Sequence, residues 1–445
     1  MTRIQRAASA LLVLSALTLG TPGVRAAEPP PLAGFDAAWP ALETLYFDLH
    51  RNPELSLHEE KTAPKLAARL RALGYEVTEH VGGFGVVAVM KNGPGPVLLL
   101  RTDLDGLPVK EQTGLPYAST ATTKNDAGDT VSVMHACGHD IHMASWVGAA
   151  TLLAQMKTQW HGTLVFVGQP AEETVQGAAA MTSDGLFTRF PKPDYVLGIH
   201  DSNRLPAGHI GILGGPASAA SNSVDITFYG KGGHGAVPNA TVDPLVIAAR
   251  AVVTLQTIVS REVDPFNPAV VTVGTFHAGT KRNIIGDDAK LQLTVRSFSP
   301  DVQKQLLAAI ERIAKAEAAA GLARREPVVV VLPAEASEVV VNDPALAARL
   351  MAGLRKTLGD SVVVQGERTM TSEDFGVFGR LAGAPSIQIQ IGAVEPKEFA
   401  RLKAEGKLAP GPHNSGFAPE PAPTIRGGVA AFTLSVLELA GTPAP

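Results

Sequence analysis

Val97-Leu98-Leu99-Leu100-Arg101-Thr102-Asp103-Leu104-Asp105 is an apolar run that ends in two acids. Residues 97–101 read as a buried strand, because the run of branched and Leu side chains from Val97 to Leu100 suits a sheet covered on both faces. Similar runs follow at 163–167 and 195–199, and residues 144–156 between them read as a helix. Strands alternating with helices predict an α/β fold with a mostly parallel sheet. Sheets of this kind place ligands beyond the carboxyl ends of their strands. Those ends carry Asp103 and Asp105, then Glu172-Glu173, then His200. Packing alone does not explain polar residues at three such ends.

Outward from this core, the chain runs from Leu213 through Gly214-Gly215-Pro216 and a small-residue stretch to Asn222, which reads as a linker. The next unit reads as strand 224–229, helix 244–260, strands 270–276 and 289–298, helix 302–320 and strand 327–332. That is a smaller two-layer α+β insert. Beyond Pro333 the α/β style resumes, with helices at 345–358 and 425–439 and a strand at 386–391. The organisation expected is a main domain over 27–215 and 334–445, interrupted by the insert at 216–333. No internal repeat is found.

At the amino terminus Arg3 and Arg6 precede the apolar run 7–19, and Val24-Arg25-Ala26 places small side chains where a signal peptidase cuts. Residues 1–26 therefore read as a secretory signal peptide, with a periplasmic or secreted product starting at Ala27. The run is shorter than the roughly 20 residues that a membrane span needs, and no later run reaches that length. Cleavage removes three arginines and no acid, taking the formal charge from −4 to −7. Such a balance argues against a nucleic-acid partner and for a small molecule. The chain has one cysteine, Cys137, in a compartment that permits disulfides, so it forms no bridge within the chain.

His135-Ala136-Cys137-Gly138-His139-Asp140-Ile141-His142 gathers one thiol and three imidazoles into eight residues. Thiolate, imidazole and carboxylate are the donors that hold zinc and its neighbours. Any one histidine alone reads more simply as a hydrogen-bonded core or cap residue, but the acids at the strand ends reverse that balance. Cys137 has two other readings: an inert buried thiol, or a nucleophile with a histidine partner. The pair Glu172-Glu173 favours a metal, since a metal centre uses one acid as ligand and a second as base for its water. A solvated helix start is the plainer account of that pair.

Beyond these local readings, an ordered series of motifs spans nearly the whole mature chain. It runs from Leu49-His50-Arg51-Asn52-Pro53-Glu54-Leu55-Ser56 through Asp103-Leu104-Asp105-Gly106-Leu107-Pro108, His135 to Asp140 and Gln169-Pro170-Ala171-Glu172-Glu173. It continues with Gly198-Ile199-His200, Gly230-Lys231-Gly232-Gly233-His234, Ser372-Glu373-Asp374-Phe375 and His413-Asn414-Ser415. The set resembles the hippurate hydrolases, bacterial N-acyl-amino-acid amidohydrolases and plant auxin-conjugate hydrolases, relatives of aminoacylase and of metallocarboxypeptidases with a lid domain.

The resemblance implies a catalytic metallohydrolase domain with the insert as lid and dimerisation domain. It implies two divalent ions per subunit, zinc or manganese with cobalt also compatible, held by Cys137, His139, Glu173, His200 and His413. It further implies Glu172 as general base, Asp105 or Asp140 orienting ligand imidazoles, and His234, Asn283 and Arg296 meeting the substrate. His234 is then expected to serve the neighbouring subunit of a homodimer. Taken alone, His234 reads as an exposed loop residue beside turn-forming glycines, Asn283 as a turn residue and Arg296 as a solvated strand residue. Ile141 stands where the family commonly has Gly, Met143 where it has Thr and Gly286 where it has Pro, departures that bear on the shape of the pocket.

The expected function is hydrolysis of N-acyl amino acids or related small amides by a metal-activated water, with the proton taken by Glu172. Arg296 then suits the free carboxylate of the substrate. Two alternatives stand beside it: a dipeptidase or carboxypeptidase-type exopeptidase on the same chemistry, and a periplasmic metal- or peptide-binding protein. A binding protein has no use for a proton shuttle beside its ligand.

Overall fold

The computed structural model describes residues 32–441, and the expected signal peptide lies outside the described residues. An eight-stranded sheet forms the main layer, in the order Glu76–Val81, Gly85–Asn92, Gly162–Gln169, Val97–Asp103, Tyr195–Pro206, Ser386–Val394, Ile210–Ile212 and Val363–Gln365. The four central strands run parallel. Antiparallel pairing enters where Gly85–Asn92 joins Gly162–Gln169 and where Ser386–Val394 joins Ile210–Ile212. The hairpin of Glu76–Val81 and Gly85–Asn92 was not anticipated from sequence. Its first strand is mostly half-exposed, with no apolar run to announce it.

The helix His139–Gln155 is buried on nearly every side. It lies between the sheet and the helices Phe35–Arg51 and Pro421–Ala440. Gly148 permits the approach: a Cβ there would sit 2.5 Å from Val429 Cγ2. Trp146 crosses to the sheet, its indole N–H donating to the Leu100 carbonyl at 2.9 Å. Bulk around this helix fixes its position, and hence that of the histidines at its start.

A second, four-stranded antiparallel sheet has the order Ala269–Ala278, Asp288–Ser297, Ala220–Tyr229, Val328–Ser337. Along Asp288–Ser297 alternate residues are buried, Ala289, Leu291, Leu293 and Val295. They meet Ile247, Ala251 and Leu255 of the helix Pro244–Thr257 and Leu306, Ile310 and Ile313 of Pro300–Ala320. Asp243 caps the first of these helices, accepting from the Leu245 N–H at 2.9 Å. The expected linker proves partly ordered as a strand: Gly215–Ser218 pairs with Val340–Asn342, so the two chain crossings between the sheets hold each other. Small residues suggested a loose joint, but their backbone groups find partners across the crossings.

Candidate active site

The helix expected to begin at 144 begins at His139. Gly138, at φ +74°, turns the chain into it, and a Cβ at that residue would fall 2.0 Å from Asp201 Oδ2. Only glycine fits both demands. His139 and His142 thereby share one face of the first turn, three residues apart.

The imidazole of His139 stands with Nδ1 2.8 Å from the Asp105 carbonyl, so that nitrogen carries the proton and Nε2 turns its lone pair into the cleft. His139 Nε2 lies 3.8 Å from Glu173 Oε1, 3.7 Å from Glu172 Oε2 and 3.7 Å from Asp103 Oδ2. Both His139 Nε2 and Glu173 Oε1 are buried without a hydrogen-bond partner among the described residues. Orphaned polar atoms are rare in native interiors. Their separation is a few tenths of an ångström wider than the roughly 3.4 Å at which two donors about 2 Å from one tetrahedral ion stand, so a small inward turn of either side chain brings both onto a shared ion.

Cys137, His139 and Glu173 form one group whose donor atoms lie within 4.8 Å of one another, and His142, His200 and Asp201 form another. Cys137 Sγ is 3.6 Å from His200 Nε2, which joins the two. His413 Nε2 completes the rim, 3.2 Å from Glu173 Oε2. Burial and then the carboxylates of Glu173 and Glu172 push the Cys137 thiol well up. Burial alone would lower His139, but Asp103, Asp105 and Glu173 more than reverse it. Both effects describe a pocket of excess negative charge that a bound cation satisfies, and the donor set of thiolate, imidazole and carboxylate fits a transition-series metal.

The supporting contacts differ from expectation at one acid. Asp105 lies behind His139: its Oδ1 is 3.4 Å from His139 Nδ1, while Oδ2 accepts from the Glu173 N–H at 3.0 Å and from Ser56 at 2.6 Å. Asp140 instead turns away, its Oδ2 2.6 Å from His50 Nδ1, with Glu111 3.2 Å from the other ring nitrogen. Burial opposes a charge on His50, yet the two carboxylates raise it to about 10. Helix geometry explains the divergence: neighbouring residues 139 and 140 project about 100° apart, so one faces the cleft and the other the Phe35–Arg51 helix.

Glu172 and Glu173 leave the Gly162–Gln169 strand through Ala171, which sits at φ +50°. Glu59 holds that strained residue by accepting its N–H at 2.8 Å. His413 is likewise in the left-handed region, at φ +68°, fixed by its N–H to the Ala136 carbonyl at 2.7 Å. Strain concentrated where ligand candidates are displayed is a pattern of functional sites. Burial, Glu373 and Glu173 raise Glu172 well above the usual carboxylate range, which suits a group that both accepts and returns a proton.

Beneath this floor Arg101 is fully buried and donates to Gln169 at 2.8 Å, Asp103 at 2.6 Å and Glu373 at 2.8 Å, with Asp374 at 3.3 Å. His142 Nδ1 lies 2.8 Å from Asp103, and its Nε2 accepts from the Asp201 N–H at 3.0 Å. Asp103, His142, Asp201 and Arg101 received no role from the sequence. An arginine inside an apolar strand was the available signal, because a buried guanidinium requires carboxylate partners.

Of the residues expected to meet substrate, Arg296 lines the cleft with Cys137, Glu172, Glu173, His200 and His413. His234 and Asn283 do not line that cleft. They are exposed together on a two-stranded ribbon, where His234 pairs with Ile284 and the Gly235 N–H donates to the Asn283 carbonyl at 2.8 Å.

A buried thiol–imidazole–carboxylate cluster with a neighbouring acid, at the carboxyl ends of a parallel sheet and under a smaller α+β unit, defines a metal-dependent amide hydrolase. The sequence model of peptidase family M20/M25/M40 matches residues 99–405, and the chain belongs to that family. It is 38% identical over 342 residues to a hippurate hydrolase of Campylobacter jejuni, covering 76% of this chain and 84% of that one. It is 36% identical over 354 residues to thermostable carboxypeptidase 2 of Saccharolobus solfataricus, covering 79% and 85%. The crystal structure of the Bacillus subtilis YXEP protein, a dinuclear metal binding peptidase of the same family, matches with TM-score 0.72 and 28% identity, over 91% of this chain and 99% of that one. The alternative of a binding protein without catalysis falls with this membership.

Proposed function

We propose that the protein hydrolyses the amide bond of N-acyl amino acids, using two divalent ions held by Cys137, His139, Glu173, His200 and His413. The observation that carries this is the pair of orphaned buried atoms, His139 Nε2 and Glu173 Oε1, 3.8 Å apart beside an acid not needed as ligand. Bound there, divalent metal supplies a Lewis acid and acidifies a water. Glu172, 3.7 Å from His139 Nε2, takes the proton from the attacking water and returns it to the leaving nitrogen. Arg296, half-buried and without a carboxylate partner among the described residues, receives the free carboxylate of the substrate. The cleft, about 740 Å³, has room for a substrate of this size. An exopeptidase would use the same groups, and the carboxypeptidase relative keeps that alternative in play. Zinc, manganese and cobalt all suit the donors.

The proposal extends to a homodimer in which His234 acts on the partner's substrate. Its supports are the position of His234 outside its own cleft, the outer edge of Ala269–Ala278, which no other strand pairs among the described residues, and an apolar face on the smaller unit. Val253 is 71% exposed and Phe266 93%, with Leu245 and Val246 also outward. This segment, Pro244–Glu262, is apolar and long enough to pass for a membrane span, but Ile247, Ala248, Ala251 and Leu255 pack on the small sheet. Export of the chain is proposed on the segment 1–26 alone.

Cys137→Ser tests the metal assignment. The exchange of sulfur for oxygen leaves the core intact, so the variant should fold while elemental analysis finds less bound metal. Full metal content with full activity would return Cys137 to the status of an inert buried thiol.

A further inference from the structure

Charge is divided along the cleft. Its floor carries the acids of the metal cluster, whereas its wall includes Arg204, Arg296 and Arg368. Arg204 has a partner, Glu367, at 3.4 Å. Arg296 gives its hydrogen bonds to Thr294 Oγ1 at 3.3 Å and to the Met370 carbonyl at 3.2 Å, both uncharged. Arg368 lies over the Phe298 ring, 5.8 Å from its centroid, and no carboxylate lies within ion-pairing distance of it among the described residues. The wall thus holds two guanidinium groups without a counter-charge, and the substrate proposed above supplies only one anion.

The two lie on the same side of the cleft. Arg296 holds the carbonyl of Met370, two residues beyond Arg368, and Arg368 covers Phe298, two residues beyond Arg296. A second anion that meets Arg368 therefore belongs to the end of the substrate that Arg296 holds, the amino-acid end, and not to the acyl group. We propose that the preferred substrates are N-acyl derivatives of acidic amino acids, with the α-carboxylate on Arg296 and the side-chain carboxylate on Arg368. This rests on the reading of the cleft as an acyl-amino-acid site. Arg368 is then a specificity-determining residue, and since it is exposed its contribution falls with ionic strength.

The test compares N-acetyl-L-glutamate with its uncharged isostere N-acetyl-L-glutamine on the metal-loaded enzyme and on Arg368→Gln. The wild type should favour the glutamate derivative by about tenfold in kcat/KM, mostly through KM, because a carboxylate–guanidinium contact away from the reacting bond binds ground state and transition state alike. In Arg368→Gln the ratio should fall to about one, and in the wild type it should shrink as salt is raised. Equal rates in the wild type, or a preference that survives in the variant, would overturn the assignment. Should neither compound be hydrolysed and hippurate also be left intact, the acyl-amino-acid proposal itself has failed, and calorimetric titration then decides the wall separately. L-glutamate should bind about tenfold tighter than L-glutamine to the wild type and equally to Arg368→Gln; equal binding to the wild type would remove the anion site as well.

Discussion

Glu172→Gln is expected to lower turnover by roughly 10² to 10⁴-fold while metal content stays at the wild-type level. The amide keeps the size of the side chain and removes its capacity to take a proton. Glu173, whose Oε1 is the atom left without a partner beside His139, remains to hold metal. The two carboxylates leave the same turn, so their assignment is open to direct comparison. Loss of metal from Glu172→Gln with retention in Glu173→Gln would exchange their roles.

His234→Ala should reduce kcat by about 10² to 10³-fold, as removal of a donor to a developing oxyanion does. Metal content should be unaffected, since the residue lies on an exposed ribbon and not among the lining of its own chain's cleft. In the trans arrangement a His234→Ala chain mixed with a Glu172→Gln chain rebuilds one intact site, on the subunit that retains Glu172. Activity should reappear on subunit exchange. Exchange without recovery counts against the crossing, and a fully active monomer excludes it.

The strands that build the floor were legible because each is a short, mainly apolar run with acids or a histidine within a few residues of its end. That pattern marks Asp103, Glu172-Glu173 and His200 as strand-end groups, and the strands that carry them are neighbours in the sheet. The same local reasoning missed what depends on distant partners. Arg101 meets Glu373 across 272 residues of chain, and nothing near either residue announces the other. Asp140 looked as well placed as Asp105 to orient an imidazole, and only the direction of the helix separates them. His142 received no role from the sequence, and a helix expected from 144 leaves it ahead of the first turn, whereas the helix begins at His139. The Glu76–Val81 hairpin lies at an edge where burial on one face leaves a weak pattern.

Metal dependence of amide hydrolysis is tested most directly by stripping the purified protein with a chelator, confirming the loss by elemental analysis, and restoring zinc, manganese or cobalt one at a time. The stripped protein should be folded and inactive, and at least one metal should restore hydrolysis of N-acyl amino acids at a rate above that on dipeptides. Undiminished hydrolysis by metal-free protein would contradict a metal site at Cys137, His139 and Glu173, and restored activity confined to dipeptides would replace the acyl-amino-acid substrate with a peptide.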